Sequence, residues 1–248
     1  APIVEAGAQV IAEVETRRYV DSDGARIQTS APFYRLVVSA SAKAEDGMQL
    51  PLHRTWMSFR PEGLPDDATV AREVERMVRT LLELVKAPVA EPYTGPAILS
   101  GRAAAVFFHE IFGHRIEGQR QKGEDEAQTF RKKLGRRVLP PFLSVYSDPT
   151  LPRVGATELV GSYRFDDEGV RARRVTVVKG GVLEGFLMSR APIEGFDRSN
   201  GHGRRQQGQR AAARQSNLVV ESARRVPRAE LTRMPPARTP AAGAPDRP

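Results

Sequence analysis

The chain contains no cysteine, which excludes disulfide bonds and thiolate metal ligands. A chain without cysteine suits a reducing compartment, and we expect a cytoplasmic protein. No run of apolar residues is long enough to cross a membrane, so no membrane partner is expected. Neither an initiating methionine nor a basic-then-apolar signal peptide opens the sequence, and we expect a fragment or a processed chain.

Aromatic residues are few, at 6%, and acidic residues are scarce in the last fifth of the chain. From Arg198 onward there are 11 arginines and 3 acids, which account for the whole net charge of +8. Residues 1–197 are therefore balanced in charge, so the main body lacks the uniformly basic face of a nucleic-acid-binding domain. A nucleic-acid-associated regulator acting through the arginine-rich tail is a lesser alternative, and no nucleic-acid partner is expected.

Two histidines and a glutamate stand out within the segment 103–118, AAAVFFHEIFGHRIEG. The apolar residues around His109, Glu110 and His114 predict a helix packed inside the protein. A buried imidazole or carboxylate costs free energy unless it is paired, hydrogen-bonded or bound to metal. A divalent metal is the best reason for this cluster, since zinc binds imidazole nitrogen and a neighbouring glutamate can act as general base.

The spacing of the two histidines is unusual for a metal-binding helix. The common zinc-peptidase helix places its histidines at i and i+4, whereas His109 and His114 lie at i and i+5. In a straight α-helix the two rings would diverge by roughly 140°. A π-type bulge would widen the turn and bring them back towards one face. We therefore predict a bulge or a helix break between Ile111 and His114, at the weak point that Gly113 provides.

The segment HEIFGHRIEG resembles the motif of the TldD/PmbA family of metallopeptidases, which carries His-Glu-x-x-x-His. The likeness covers about residues 5–232, and family segments follow in family order. These segments are VDSDG at 20–24, DDEGV at 166–170, the hairpin 177–187, the loop 201–205 and RQSNL at 214–218. Family members are longer at both ends, so we expect the chain to be incomplete at both ends.

The resemblance implies a role for each residue of the motif. His109 and His114 would bind Zn²⁺, and Glu110 would be the catalytic base. Glu117 would act beside the ligands or at the substrate, as could three residues of the loop, which are His202, Arg204 and Arg205.

The family's third zinc ligand is a cysteine, and this chain has none. Catalytic zinc normally has three protein ligands and a water. The other side chains that could complete the site are His202, His53, Glu117 and the acidic cluster Glu124–Glu126. His202 lies in the glycine- and arginine-rich segment 199–213, which predicts a mobile, solvated loop.

Three functions follow from these patterns. The first is a zinc-dependent peptidase that hydrolyses peptide bonds of unfolded polypeptides or peptides, as the resemblance implies. The family works in two-subunit assemblies, so a hetero- or homo-dimer with a family partner is expected. The second is a non-catalytic scaffold or partner subunit of the same family, because the third ligand is missing. The third is the nucleic-acid-associated regulator.

The predicted fold class is α+β, with antiparallel sheets packed on a long helix and on the motif helix. Alternating residues predict a meander over 8–59, in which 26–29 and 33–42 are separate strands. Apolar residues at helical spacing predict a helix over 68–86. The glycine pair at 180–181 predicts a hairpin between strands 174–179 and 182–188. Further strands are predicted at 97–100, 143–146, 161–165 and 218–221, a loop and a short helix within 118–134, and a helix start at 228–234. The predicted domains are 1–94, 95–234 and a disordered tail, 235–248.

Overall fold

The computed structural model describes residues 2–122 and 130–233. In chain order its helices and strands are β1 (Ile3–Val20), β2 (Arg26–Lys43), β3 (Gln49–Ser58), α1 (Asp67–Lys86), α2 (Gly101–Ile111), β4 (Leu143–Ser147), β5 (Arg153–Val154), β6 (Thr157–Glu158), β7 (Val175–Lys179), β8 (Val182–Leu183), β9 (Gly203–Arg204), β10 (Ala212–Ala213), β11 (Leu218–Ser222) and α3 (Arg228–Leu231). Short 3₁₀ helices occur at Pro61–Gly63, Gly113–Ile116 and Gly118–Gln121. None of the described helices has the length and apolar character needed to cross a membrane.

Contacts divide the chain into two compact units. The first unit is Ala1–Glu91 with Arg153–Glu158, and the second is Pro92–Pro152 with Leu159–Pro248. The predicted domain limits stay a prediction, because a compact unit need not fold on its own. The predicted tail, 235–248, lies outside the described residues.

The first unit is built on an antiparallel sheet with the strand order β1-β2-β3. The sequence predicted two strands, 26–29 and 33–42, where the structure has the single strand β2. Proline cannot donate a hydrogen bond to a neighbouring strand. Pro32 is tolerated because it pairs only with Val14 of β1, while the pairing of β2 with β3 begins at Tyr34.

Helix α1 packs on this sheet, as its pattern predicted. Asp66 caps the helix by accepting a hydrogen bond from the backbone N–H of Thr69 at 2.8 Å. Hydrogen bonds from the side chain and from the backbone N–H of Thr69 lower the pKa of Asp66. Met77 and Leu81 are buried against Ala40 and Ala42 of β2 and form the core of the unit.

The second unit contains an antiparallel sheet with the order β11-β4-β7-β8. The hairpin between β7 and β8 turns at Gly180 and Gly181, which have φ angles of +53° and +81° that favour glycine. The predicted hairpin is confirmed, although β8 ends at Leu183. The core of the unit consists of Phe112, Ile116, Val145, Val177, Val178, Leu183, Phe186, Leu187 and Met188. Two-stranded sheets pair β5 with β6 and β9 with β10. All four sheets of the described residues are antiparallel, and the predicted α+β class is confirmed.

Some predicted elements differ in the structure. Residues 97–100 are exposed and irregular rather than a buried strand, and 161–165 contain only an isolated bridge from Phe165 to Arg171. The last helix ends at Leu231. Of the predicted loop and helix at 118–134, the 3₁₀ helix Gly118–Gln121 is seen, and 123–129 lie outside the described residues, so the acidic cluster Glu124–Glu126 is not described.

Candidate metal centre

The motif helix breaks between the two histidines of the motif. Helix α2 ends at Ile111, Phe112 follows with φ −113° and ψ −51°, and a 3₁₀ helix begins at Gly113. The predicted break is therefore confirmed. The alternative of a widened π turn is wrong, since the turn after the break is the tighter 3₁₀ type, with the Arg115 N–H donating to the Phe112 carbonyl at 3.0 Å.

The break brings together side chains that a straight helix would separate. The ring centroids of His109 and His114 are 4.7 Å apart, with an interplanar angle of 82°. Glu110 lies between them, with carboxylate oxygens 3.9 Å from His109 Nε2 and 3.7 Å from His114 Nε2. One potential ligand atom from each of the three residues lies within 4.8 Å of the others, the only such group among residues 2–122 and 130–233.

The three side chains are more exposed than the sequence suggested. His109 is 48% exposed, Glu110 62% and His114 29%, and helix α2 has no buried residue. The expectation of a helix packed inside the protein is wrong for this chain. The apolar run contributes mainly Phe108, which packs against the core, while Val106 and Phe107 are exposed. The case for metal therefore depends on the convergence of the donors and not on their burial.

Glu117 lies beneath His114 with a side chain that is 0% exposed. Its Oε1 is 3.0 Å from His114 Nδ1. Its Oε2 accepts hydrogen bonds from Arg120 Nε at 2.9 Å and from Arg214 Nη1 at 3.0 Å, with Gln119 Nε2 at 3.3 Å. With two guanidinium groups on Oε2 and the His114 ring on Oε1, this buried carboxylate is well compensated.

The backbone around Glu117 is fixed by the chain segment that follows β8. The Leu187 N–H donates to the Ile116 carbonyl at 2.9 Å, and the Gly118 N–H donates to the Leu187 carbonyl at 2.8 Å. A side chain at Gly118 would overlap Met188 and the Leu187 carbonyl, so this close approach requires glycine. The position of Glu117 is therefore set by the core of the unit.

His202 is buried, which contradicts the prediction of a solvated loop histidine. Its Nε2 is 3.1 Å from Ser147 Oγ, and its Nδ1 is 3.1 Å from Asn200 Oδ1. Burial lowers the pKa of His202 to about 4. Burial thus keeps the imidazole neutral, and His202 is not in the group of potential metal ligands.

The arginines of the same loop contact an acidic turn. Arg204 Nε donates to Asp167 Oδ2 at 3.1 Å, and its guanidinium lies 4.2 Å above the ring of Tyr163. Arg205 uses its backbone N–H to donate to Asp167 at 2.8 Å. Asp166 accepts from the Gly203 N–H at 2.9 Å, and burial raises its pKa. Gly201–Arg204 is therefore packed against the turn rather than mobile.

Of the other predicted donors, His53 lies on β3 in the first unit and is absent from the group of potential ligands.

The structure also shows contacts that the sequence did not predict. Arg120 follows Glu117 at i+3, a spacing that could have indicated the pair. Arg214 and Gln215 lie in RQSNL, but nothing local shows that they contact the motif from about 100 residues away.

The donor set fits a divalent ion of borderline softness. Two imidazoles and a carboxylate form a ligand set that catalytic zinc uses in other proteins. Tetrahedral zinc places its ligand atoms about 3.4 Å apart, so the donors, now within 4.8 Å of one another, would move closer to share one ion.

Comparisons with known proteins point to one family. A model described as the PmbA/TldA metallopeptidase C-terminal domain matches residues 92–235. A protein named metalloprotease from Methanocaldococcus jannaschii is 30% identical over 83% of this chain and 44% of its own length. A metalloprotease TldD homolog from Haemophilus influenzae is 27% identical over 75% of this chain and 38% of its own length. The chain thus spans less than half of the curated relatives it matches.

Two solved structures share the fold at low sequence identity. A Thermotoga maritima protein is 21% identical with a TM-score of 0.64, covering 88% of this chain and 47% of its own. A structure of TldE from Thermococcus kodakarensis is 18% identical with a TM-score of 0.57, covering 89% of this chain and 47% of its own.

Proposed function

Because the chain belongs to the PmbA/TldD metallopeptidase family, we propose that it carries the metal centre of a zinc-dependent peptidase. His109 and His114 are the proposed ligands, and Glu110 is the proposed base. The observation that carries the proposal is the convergence of these three side chains despite the i, i+5 spacing of the histidines. The substrate class is unfolded polypeptide or peptide.

In sites of this kind a bound zinc ion supplies Lewis acidity towards water and carbonyl oxygen. The chain's own residues supply the rest. The Glu110 carboxylate is exposed to solvent and lies within 4 Å of both imidazoles, so it can accept a proton from a water held beside them. The His114 ring is held from below by Glu117, which leaves its Nε2 facing the cluster.

The missing cysteine shapes the proposal. The described residues offer Glu110 as the one further donor beside the two imidazoles. Hydrolysis then requires either that Glu110 acts as ligand and base, or that a donor comes from outside the described residues. We propose a hetero- or homo-dimer with a family partner, and a cytoplasmic location, since a chain without cysteine needs no oxidising compartment.

A non-catalytic scaffold subunit is the second candidate. One observation favours it: Glu110, the third donor of the group, is also the residue needed as the base. The nucleic-acid alternative has less support, because Arg204 and Arg214 pair with Asp167 and Glu117 rather than forming a basic face.

Zinc stoichiometry and hydrolysis of an unstructured peptide, measured on the same preparations, test the proposal. We expect the wild-type chain to retain zinc after dialysis, and His109→Ala and His114→Ala to lose both zinc and hydrolysis. His53→Ala is the matched control and should behave as wild type. Glu110→Gln should lower turnover by about 10²- to 10⁴-fold; if it also loses zinc, Glu110 is a ligand. A wild-type chain that retains no zinc would support the scaffold.

A further inference from the structure

We propose that Glu117, Arg214 and Gln215 form a clamp that positions both histidines of the motif. These three residues are called the clamp below. The inference rests on the proposed function, since it concerns the orientation of the proposed ligands. All three are positioning residues, because they act on the histidines directly or through the Glu117 carboxylate, and not on reacting atoms.

The first part of the clamp fixes the ring of His114. A carboxylate paired with two guanidinium groups can only accept hydrogen bonds, so His114 Nδ1, at 3.0 Å from Glu117, must carry the proton. The neutral ring then has its lone pair on Nε2, the atom that faces Glu110 at 3.7 Å. A ligand histidine needs this tautomer, and a carboxylate on its other nitrogen is the usual means of selecting it.

The second part of the clamp is the dipeptide Arg214-Gln215, which reaches both histidines. Arg214 Nη1 donates to Glu117 Oε2 at 3.0 Å, and so acts on His114 through the carboxylate. Gln215 Nε2 lies 3.4 Å from the backbone carbonyl of His109, near the end of α2. The dipeptide thus bridges the two sides of the helix break.

The dipeptide is itself held at both ends. The Arg214 N–H donates to the His202 carbonyl at 2.9 Å, and the Ser216 N–H donates to Ser147 Oγ at 3.1 Å. Ser147 also bonds the buried imidazole of His202, at 3.1 Å. The rigid core of the second unit therefore supports the clamp.

The position of Gln215 is maintained at a cost. Its Oε1 is buried and has no hydrogen-bond partner among the described residues. A buried polar atom without a partner disfavours the folded state. An unpaired buried atom is retained where another contact fixes the side chain. For Gln215 that contact is the one between its Nε2 and the His109 carbonyl.

The test measures the tautomer of His114 and the affinity for zinc separately. Chains labelled with ¹⁵N-histidine are compared free of metal, at a pH where imidazole is neutral, and His114→Ala identifies the signals of His114. We expect the Nδ1–H tautomer to dominate in the wild type and Glu117→Gln to give a mixture, because an amide can donate as well as accept. Zinc affinity of Glu117→Gln should fall about 10- to 100-fold.

A second set of variants tests the clamp even if Glu117→Gln does not fold. Arg214→Ala leaves Arg120 on the carboxylate and should lower zinc affinity severalfold, with Arg214→Lys intermediate. Gln215→Ala should lower affinity without changing the tautomer of His114. Arg210→Ala, an exposed arginine nearby in sequence, is the matched control and should match wild type.

Two outcomes overturn the clamp. One is an unchanged tautomer in Glu117→Gln. The other is a loss of zinc affinity in Arg214→Ala no larger than in Arg210→Ala. A wild-type chain without zinc affinity defeats the proposed function instead, and the tautomer comparison in the metal-free chain still decides whether Glu117 orients His114.

Discussion

The backbone of Gly113 lies directly against the side-chain amide of Gln215, so that a Cβ atom at position 113 would overlap that amide. Gly113 is the first residue of the 3₁₀ helix that follows the break in the motif. The residue that permits the break therefore also makes room for the side chain that contacts the His109 carbonyl. Local backbone conformation and tertiary contact are joined at one position.

Replacing Gly113 with alanine should separate these two effects. Alanine favours a helical backbone over glycine by about 1 kcal/mol, which offsets part of the free energy lost to the clash. The free energy of unfolding should therefore fall only slightly. Gln215 must move, however, and zinc affinity should fall severalfold. Gly101→Ala, at a position of α2 with open space around it, is the control and should leave zinc affinity unchanged. Isothermal titration and urea unfolding of both variants check the prediction, and equal affinities would contradict it.

Phe112 should anchor the break, and Phe107 should not. Phe112, just after the end of α2, is 4% exposed, and its ring centroid lies 5.4 Å from that of Phe130. Phe107, within α2, is 44% exposed. Truncation of a buried phenylalanine leaves a cavity, so Phe112→Ala should lower the free energy of unfolding by about 3–5 kcal/mol. Phe107→Ala should cost less than about 1 kcal/mol. Similar losses in urea unfolding would show that Phe112 is not part of a tightly packed core.

The sequence predicted the convergence of His109 and His114 because the i, i+5 spacing cannot form a site on a regular helix. It did not predict the kind of break, since a π bulge and a 3₁₀ turn both change the rotation between the rings. The choice depends on Phe112, whose burial against Phe130 is a tertiary contact. The long helix α1 and the hairpin at 180–181 were predictable because their signals are local.

Two errors have the same physical origin. The apolar residues of α2 indicated a buried helix, yet Val106 and Phe107 are exposed. Composition alone does not show whether another element covers a face of a helix. The glycines and arginines around His202 indicated a solvated loop, yet Ser147, 55 residues away, helps to bury the ring. In each case the deciding contact is distant in sequence.

The burial of His202 should make stability depend on pH. Its pKa is about 4 in the folded chain and near 6.5 when exposed, so the unfolded state binds the proton more tightly. The contribution to stability is complete above the unfolded pKa and is lost as the pH falls towards the folded pKa. Between roughly pH 7.5 and pH 5 the loss should be about 2 kcal/mol.

A comparison of wild type with His202→Gln isolates this contribution from the carboxyl groups, which titrate in both chains. Urea unfolding across this pH range should show a steeper decline for the wild type than for the variant. Parallel curves would mean that His202 is not held neutral by its surroundings.

Zinc should stabilise the chain by mass action if the motif binds it. An ion that binds only the folded state raises the free energy of unfolding by about 2.7 kcal/mol at a concentration 100 times its Kd. We therefore expect the unfolding temperature to rise with zinc concentration and to return after addition of a chelator. The chain with both His109→Ala and His114→Ala should show no shift, because the remaining carboxylate is exposed and singly charged. His53→Ala should shift like the wild type, and a shift that persists in the double variant would place the bound zinc away from the motif.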